Sequence, residues 1–339
     1  MAFSYVSSSK FHVVTDFILP SYAGDFVQHE KDIITLDIPY DLGSVMHYGG
    51  TAFSMDQTSK TLITRDPLYQ NTIGQREKLS FLDTETINRA YCSDRCLGPN
   101  TCQNGGYQHP NLCDTCLCPD GLSGAKCEDP EPPRNAQCGG GVDVTGEWQS
   151  IESPGYSDDG YDPDQKCSWF FVAPERKRIE FKFLGDFSFL CTSTCVDYVE
   201  MKISADFRNT GFRFCCSTVP QSSFVSETNK AIVIFRSQLT NDIGFKLQVR
   251  AISTFSCLDN DIRYESVGRM GARGRYARAR VVDVASCRGL GPVTLRNASE
   301  FTGQRQQFST CNLTACPIDK HCAKLLSSDR LCHGNVCTK

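Results

Sequence analysis

Few side chains of this 339-residue sequence have the type and spacing that chemistry demands. Its six histidines are His12, His29, His47, His109, His321 and His333, and no two stand four apart. A catalytic zinc ion in a helix-borne site takes two imidazoles at i and i+4, a third ligand and a glutamate that activates the bound water. His29-Glu30-Lys31-Asp32-Ile33 starts such a pattern but has isoleucine where the second imidazole belongs, so it is a decoy. The segment Tyr40-Asp41-Leu42-Gly43-Ser44-Val45-Met46-His47-Tyr48-Gly49 places a thioether, an imidazole and a phenol side by side. Tyr48 alone, without nitrogen ligands, does not make a useful zinc site, and His47 is read as a packing or hydrogen-bonding residue.

Cysteine is the other reactive side chain. The twenty cysteines are absent before Cys92 and then form groups of seven (Cys92 to Cys127), six (Cys138 to Cys216) and seven (Cys257 to Cys337). That density belongs to small extracellular modules, which bury too little apolar surface to fold without staples. Paired C-x-x-C knuckles with histidine partners do not recur, which argues against cytosolic zinc modules. The sequons at Asn297 and Asn312 agree with a secretory route and mark expected glycosylation sites. A net charge of −4 gives no general case for nucleic acid or an acidic membrane, and no apolar run is long enough to span one. Met1 to Pro20 lacks the pattern of a signal peptide although the cysteines demand export, which implies further sequence upstream.

The elements that must position these groups follow from patterning. Residues 1–91 read as mixed α/β without cysteine, ending in a helix that the capping box Ser80-Phe81-Leu82-Asp83 opens and that runs into Cys92. Residues 92–128 are rich in Gly, Asn, Asp and Pro, and must be held by disulfides. Asp129-Pro130-Glu131-Pro132-Pro133 reads as a stiff extended linker, expected to be cut first by proteases. From Cys138 to Ile252 the signals are those of an all-β sandwich. Ile179, Phe181 and Phe183 alternate with polar residues, as do Phe245, Leu247 and Val249, and Ile232 to Phe235 is continuously apolar. Residues 253–339 promise small strands stapled by disulfides.

The segment Tyr40 to Gly49 closely resembles the Met-turn of the astacin family of metzincins, which are zinc metalloendopeptidases. Gly74 to Asp83 and Ile87 to Cys92 are similar to the end of the same domain. Carried over, Met46 is the floor of the site and Tyr48 the hydroxyl beside the zinc and the transition-state oxyanion. The family's HExxHxxGxxH helix is absent. The resemblance therefore implies zinc in a full-length parent and none in this chain. In the family the cysteine at the position of Cys92 is bridged to one before the zinc helix. Loss of the N-terminal half explains both absences better than an evolved inactive protease. Cys92 is then expected to be unpaired or mispaired, and Phe53, Leu79 and Phe81 to lack part of their cover.

Cys96, Cys102, Cys113, Cys116, Cys118 and Cys127, spaced C-x5-C-x10-C-x2-C-x-C-x8-C, resemble an epidermal-growth-factor-like (EGF-like) module, with a zinc site on Cys113-x-x-Cys116 as the alternative. The resemblance implies Cys96–Cys113, Cys102–Cys116 and Cys118–Cys127. Ser153-Pro154-Gly155-Tyr156, Cys167-Ser168-Trp169, Cys195 to Glu200 and Ile243 to Leu247 resemble a CUB domain, implying Cys138–Cys167. Cys191, Cys195, Cys215 and Cys216 supply two more bridges whose connectivity stays open. Asp197 and Asp242 could serve the calcium site of some CUB domains. However, Phe187-Ser188-Phe189-Leu190 is apolar where the glutamate belongs, and two carboxylates are few for a hard cation, so calcium is not expected. The tail weakly resembles a thrombospondin type 1 repeat in Arg278-Ala279-Arg280, Cys287 and Cys311 to Cys316, without its stacking tryptophans. Arg273, Arg275, Arg278 and Arg280 read as a solvated strand edge, with sulfated glycan as the rival ligand.

The expected architecture is thus multidomain. An α+β remnant of a metzincin catalytic domain (1–92) is followed by an EGF-like module (93–128), a linker (129–137), an all-β CUB sandwich (138–252) and a cysteine-rich small-strand tail (253–339). Two functions compete. One is a secreted peptide hydrolase whose modules position protein substrates or extracellular matrix proteins. The other is a non-catalytic extracellular interaction protein; nucleic-acid binding through the Gly/Arg stretch at 271–280 does not suit an exported chain.

Overall fold

Alternation of apolar and polar residues between positions 138 and 253 folds into two facing sheets. The computed structural model describes residues 10–26 and 35–253 apart from 97, 157, 218, 221, 222 and 240, together with the backbone of two strands in the tail. One sheet has five strands in the order Phe212–Phe214, Tyr198–Lys202, Lys230–Arg236, Lys166–Val172, Gly140–Asp143. The other has four, in the order Phe224–Val225, Lys177–Ser188, Gly244–Ser253, Gln149–Glu152. Gly140–Asp143 runs parallel to Lys166–Val172, and the other pairings within both sheets are antiparallel. The register sets Ile179 opposite Ala251, Phe181 opposite Val249 and Phe183 opposite Leu247. This row points inward with Phe171, Val233, Phe235 and Phe245, all fully buried. Cys138–Cys167, Cys191–Cys216 and Cys195–Cys215 close the sandwich.

The strand Lys230–Arg236 is continuously apolar because both of its faces are covered. Val233 and Phe235 face the sandwich core, while Ile232 and Ile234 lie in a second cluster with Leu122, Cys127, Phe170 and Phe207. Leu122 and Cys127 come from the disulfide-rich segment, which is held by Cys96–Cys113, Cys102–Cys116 and Cys118–Cys127 around the hairpin Tyr107–His109/Leu112–Leu117. Gly121 permits this docking: its φ is +92°, and a Cβ there would lie 2.6 Å from Ile232 Cγ2.

Residues 129–137 are extended, as their prolines imply, yet they are seated against both neighbours. Asp129–Pro130 pair with Leu122–Ser123, and the Lys166 ammonium donates to Glu131 at 2.6 Å. The Arg134 and Lys166 backbones exchange hydrogen bonds of 2.9 and 3.0 Å, and the Arg134 guanidinium meets Asp164 at 2.5 Å. Lys166 is nearly buried, so Glu131 is its necessary counter-ion.

In the N-terminal segment the strands Phe11–Val13 and Leu62–Thr64 pair over a core of Phe11, Ile18, Phe26, Leu42, Leu62 and Ile73. The helix Phe81–Tyr91 opens with the expected capping box, Ser80 accepting from Asp83 N and Asp83 from Ser80 N. Phe81 is buried with its ring 5.4 Å from that of Tyr107, so the disulfide-rich segment supplies the cover that the sequence had left in question. Phe53 is half-buried among Tyr22, Phe26 and Tyr48, whereas Leu79 remains 49% exposed. Cys92 is the one free thiol among the described residues.

Residues 1–256 form one compact unit and 257–339 a second. In the second, Arg263–Val267 and Arg278–Asp283 pair antiparallel, with Val267 opposite Arg278. Asn297, Asn312, Arg273, Arg275 and the tail cysteines lie outside the described residues, and of Arg278 and Arg280 only the backbone is described. Among the described residues no helix is long and apolar enough to cross a membrane.

Trypsin at a low ratio to the oxidised chain should leave the Arg134–Asn135 bond intact until the sandwich itself opens. Cleavage there ahead of every other site would show that residues 129–137 are a free linker.

Candidate functional site

The loop from Tyr40 to Gly49 is built around two carboxylates and one guanidinium. Asp41, buried at 8% exposure, accepts from Gly43 N at 2.9 Å, from Thr210 N at 3.2 Å and from Thr210 Oγ1 at 3.1 Å. The Ser80 hydroxyl is a further donor. Burial raises the Asp41 pKa, and these hydrogen bonds pull it back. Asp83 accepts from Ser44 Oγ at 2.6 Å and from Val45 N at 3.0 Å, so the residue that caps the helix also ties the loop to it. Arg76 Nη1 donates to the carbonyls of Val45, His47 and Gln75 at 2.9, 2.8 and 2.7 Å. Gln75, itself buried, donates from Nε2 to Gly43 O at 2.8 Å.

The three side chains at the tip of this loop diverge. Met46 is 57% exposed. Tyr48 is half-buried, its ring edge-on to Phe53 at 5.0 Å. His47 is buried, edge-on to Phe11 at 5.3 Å and to Tyr40 at 5.7 Å, and its Nδ1 donates to the Tyr48 carbonyl at 2.7 Å. Burial lowers its pKa, the Tyr48 carbonyl opposes that, and the Arg76 charge lowers it further, which leaves a neutral imidazole engaged in packing.

The donors at hand do not fit a catalytic zinc ion. The described residues contain no group of three His, Cys, Asp or Glu side chains able to hold a metal. His12 is engaged with Arg65 at 3.1 Å, and His109 Nδ1 accepts from Asn111 N at 3.1 Å. Only the Tyr48 phenol belongs to the expected ligand set, and His29 lies outside the described residues. Calcium fits no better. Asp197, fully buried, accepts from Gln238 N at 2.6 Å and from Tyr161 Oη at 3.4 Å. Asp242 accepts from Ser188 Oγ at 3.0 Å and from Ile243 N at 2.8 Å. Phe187 and Phe189, where a glutamate would be needed, are core residues.

Sequence reasoning missed Asp41, Arg76 and Thr210. The Ser80–Asp83 cap was legible, but not its second role toward Ser44 and Val45. Asp41 and Thr210 are separated by 169 positions, and nothing local couples them. The same holds for Glu77. It is paired with Arg236, accepts from Tyr198 Oη at 3.2 Å and from Gln238 Nε2 at 3.3 Å, and all three partners belong to the sandwich.

Residues 8–92 match the Astacin peptidase family and residues 138–248 the CUB domain family. The chain is 62% identical over 345 residues to the zinc metalloproteinase nas-36 of Haemonchus contortus, covering 98% of this chain and 56% of that protein. It is 56% identical over 338 residues to the protein of the same name from Caenorhabditis elegans, covering 96% of this chain and 54% of that one. The chain thus spans about half the length of the curated relatives it matches. Among solved structures, the CUB1-EGF-CUB2 domains of rat MASP-1 align at 25% identity with a TM-score of 0.30, covering 34% of this chain and 44% of that one.

The His47 pocket predicts a pH dependence. A histidine whose folded pKa is depressed binds fewer protons folded than unfolded, so its stability contribution is full above the unfolded value of about 6.5 and is lost as pH falls below it. The stability advantage of the native chain over His47→Gln, measured by urea unfolding, should therefore shrink between pH 7.5 and pH 5.5. An advantage that stays constant across this range would contradict the buried neutral imidazole.

Proposed function

We propose, from the match of residues 8–92 to the astacin peptidase family and of residues 138–248 to the CUB family, that this chain supplies the Met-turn portion of a zinc-dependent peptide hydrolase. The observation that carries this reading is the loop from Tyr40 to Gly49. Asp41, Arg76 and Asp83 hold its backbone from three sides, an arrangement built to keep Met46 and Tyr48 in place. The segment with Cys96–Cys113, Cys102–Cys116 and Cys118–Cys127 is the EGF-like module of this reading. The six disulfides among the described residues support an oxidising, extracellular compartment. Its partners there are protein substrates or matrix proteins held by the EGF-like and CUB modules.

No hydrolytic step is assigned to this chain's own residues. The histidine and glutamate groups that bind zinc and activate water are not in this sequence, and the Tyr48 phenol by itself offers the ion one oxygen. Taken alone, the chain binds proteins rather than cleaving them, which is the second reading, and the same donor set favours it.

The oxidised 339-residue chain, loaded with zinc and then dialysed, should retain far less than one equivalent and leave casein uncut. Stoichiometric zinc together with chelator-sensitive cleavage would overturn the assignment.

A further inference from the structure

The outer face of the five-stranded sheet is not a free surface. Every residue of the strand Tyr198–Lys202 is buried, although Glu200 and Lys202 alternate with the core residues Val199 and Met201 and the Tyr198 hydroxyl reaches Glu77. Their cover is polar. Arg213 donates from Nε to Glu200 at 2.9 Å and lies over the Tyr198 ring at 4.1 Å. Gly211 N donates to Glu200 at 2.9 Å. Buried charges of this kind need partners arranged in advance, and here the arrangement reaches across the domain boundary. Thr72 Oγ1 donates to Gly211 O at 3.0 Å and accepts from Arg213 N at 3.1 Å. Tyr69 packs edge-on against Phe212 at 4.5 Å, and Glu77 takes Arg236, Tyr198 and Gln238.

Two clamps result, and the Met-turn lies between them. Thr72 and Glu77 pin the stretch that carries Gln75 and Arg76, the residues that hold the carbonyls of Gly43, Val45 and His47. At the other end Thr210 gives two hydrogen bonds to Asp41. The fit at this point is close: a Cβ on Gly43 would lie 2.3 Å from Thr210 Cβ, so only glycine lets the sandwich loop reach the carboxylate. Removing the Thr210 hydroxyl would leave Asp41 with the Gly43 and Thr210 amides and Ser80 Oγ in a site closed to water.

We propose that the CUB domain, through Thr210 and Arg236, is what fixes the conformation of the Met-turn, so that these two CUB residues are positioning residues for Met46 and Tyr48. The CUB domain is then a structural half of the peptidase site as well as a binding module. This coupling goes beyond the proposed hydrolysis and holds whether or not peptide bonds are cut, because it concerns the conformation of the loop.

Hydrogen exchange of the full oxidised chain, read by mass spectrometry, tests it for Thr210→Val, Thr210→Ser and Arg236→Gln. Thr210→Val should speed exchange at the Gly43, Val45 and His47 amides by about tenfold, the effect of roughly 1.4 kcal/mol of lost local stability. The amides of Ile232 to Phe235 and of the hairpin at 107–117 should keep their native rates. Thr210→Ser, which keeps the hydroxyl, should restore slow exchange, and Arg236→Gln should speed the same loop through Glu77 and Arg76. Unchanged exchange at residues 43–47 in both Thr210→Val and Arg236→Gln would overturn the proposal. So would a rise shared equally by the sandwich strands, or a Thr210→Ser chain that behaves like Thr210→Val.

Discussion

A carboxylate withdrawn from water must find its donors inside the protein, and Asp41 finds them on both sides of a domain boundary. Gly43 N belongs to its own loop, while the amide and hydroxyl of Thr210 arrive from the sandwich. An unmet buried carboxylate is far more costly than an unmet exposed one, so the loop and the sandwich are stable in this arrangement together. The rest of the N-terminal segment is organised around that constraint. Arg76 and Gln75 gather the carbonyls that the turn turns inward, Asp83 takes its hydroxyl and amide, and Thr72 and Glu77 carry the connection on to Gly211, Arg213 and Arg236.

The same economy governs the apolar surfaces. A strand of a free sandwich would be apolar toward the core and polar toward solvent, but Lys230–Arg236 is apolar on both faces because Leu122 and Cys127 lie against its outer side. The disulfide-rich segment also buries Phe81 under Tyr107. Three segments with separate sequence character thus share their cover within residues 1–256. Each disulfide secures its own segment, and shared burial with a few desolvated ion pairs joins them.

The segment that matches the astacin family has its polar groups occupied by its own neighbours. The imidazole of His47 is committed to an aromatic pocket and the Tyr48 phenol shares the Phe53 cluster. The loop from Tyr40 to Gly49 is held by hydrogen bonds to Asp41, Gln75, Arg76 and Asp83. The match of residues 8–92 to the astacin family describes the sequence of this loop, while the CUB contacts describe what keeps it in shape.

Local pattern was enough to read several features directly. The capping box at Ser80 and Asp83, the period-two strands at Ile179 to Phe183 and the lack of two histidines four positions apart are all written in residues close together along the chain. Each depends on one helix or strand period, or on ligand spacing within one turn, so no long-range contact is needed to recognise it. What depended on distant contacts was illegible. The pairing of Cys191 with Cys216 and of Cys195 with Cys215, the seating of residues 129–137, the cover over Ile232 and Ile234, and the partners of Asp41 and Glu77 were of this kind. A buried charge records in the sequence only that it is charged. Which donor meets it is decided when sheets and loops far apart in the chain come together, because only then does the loss of water make one partner necessary.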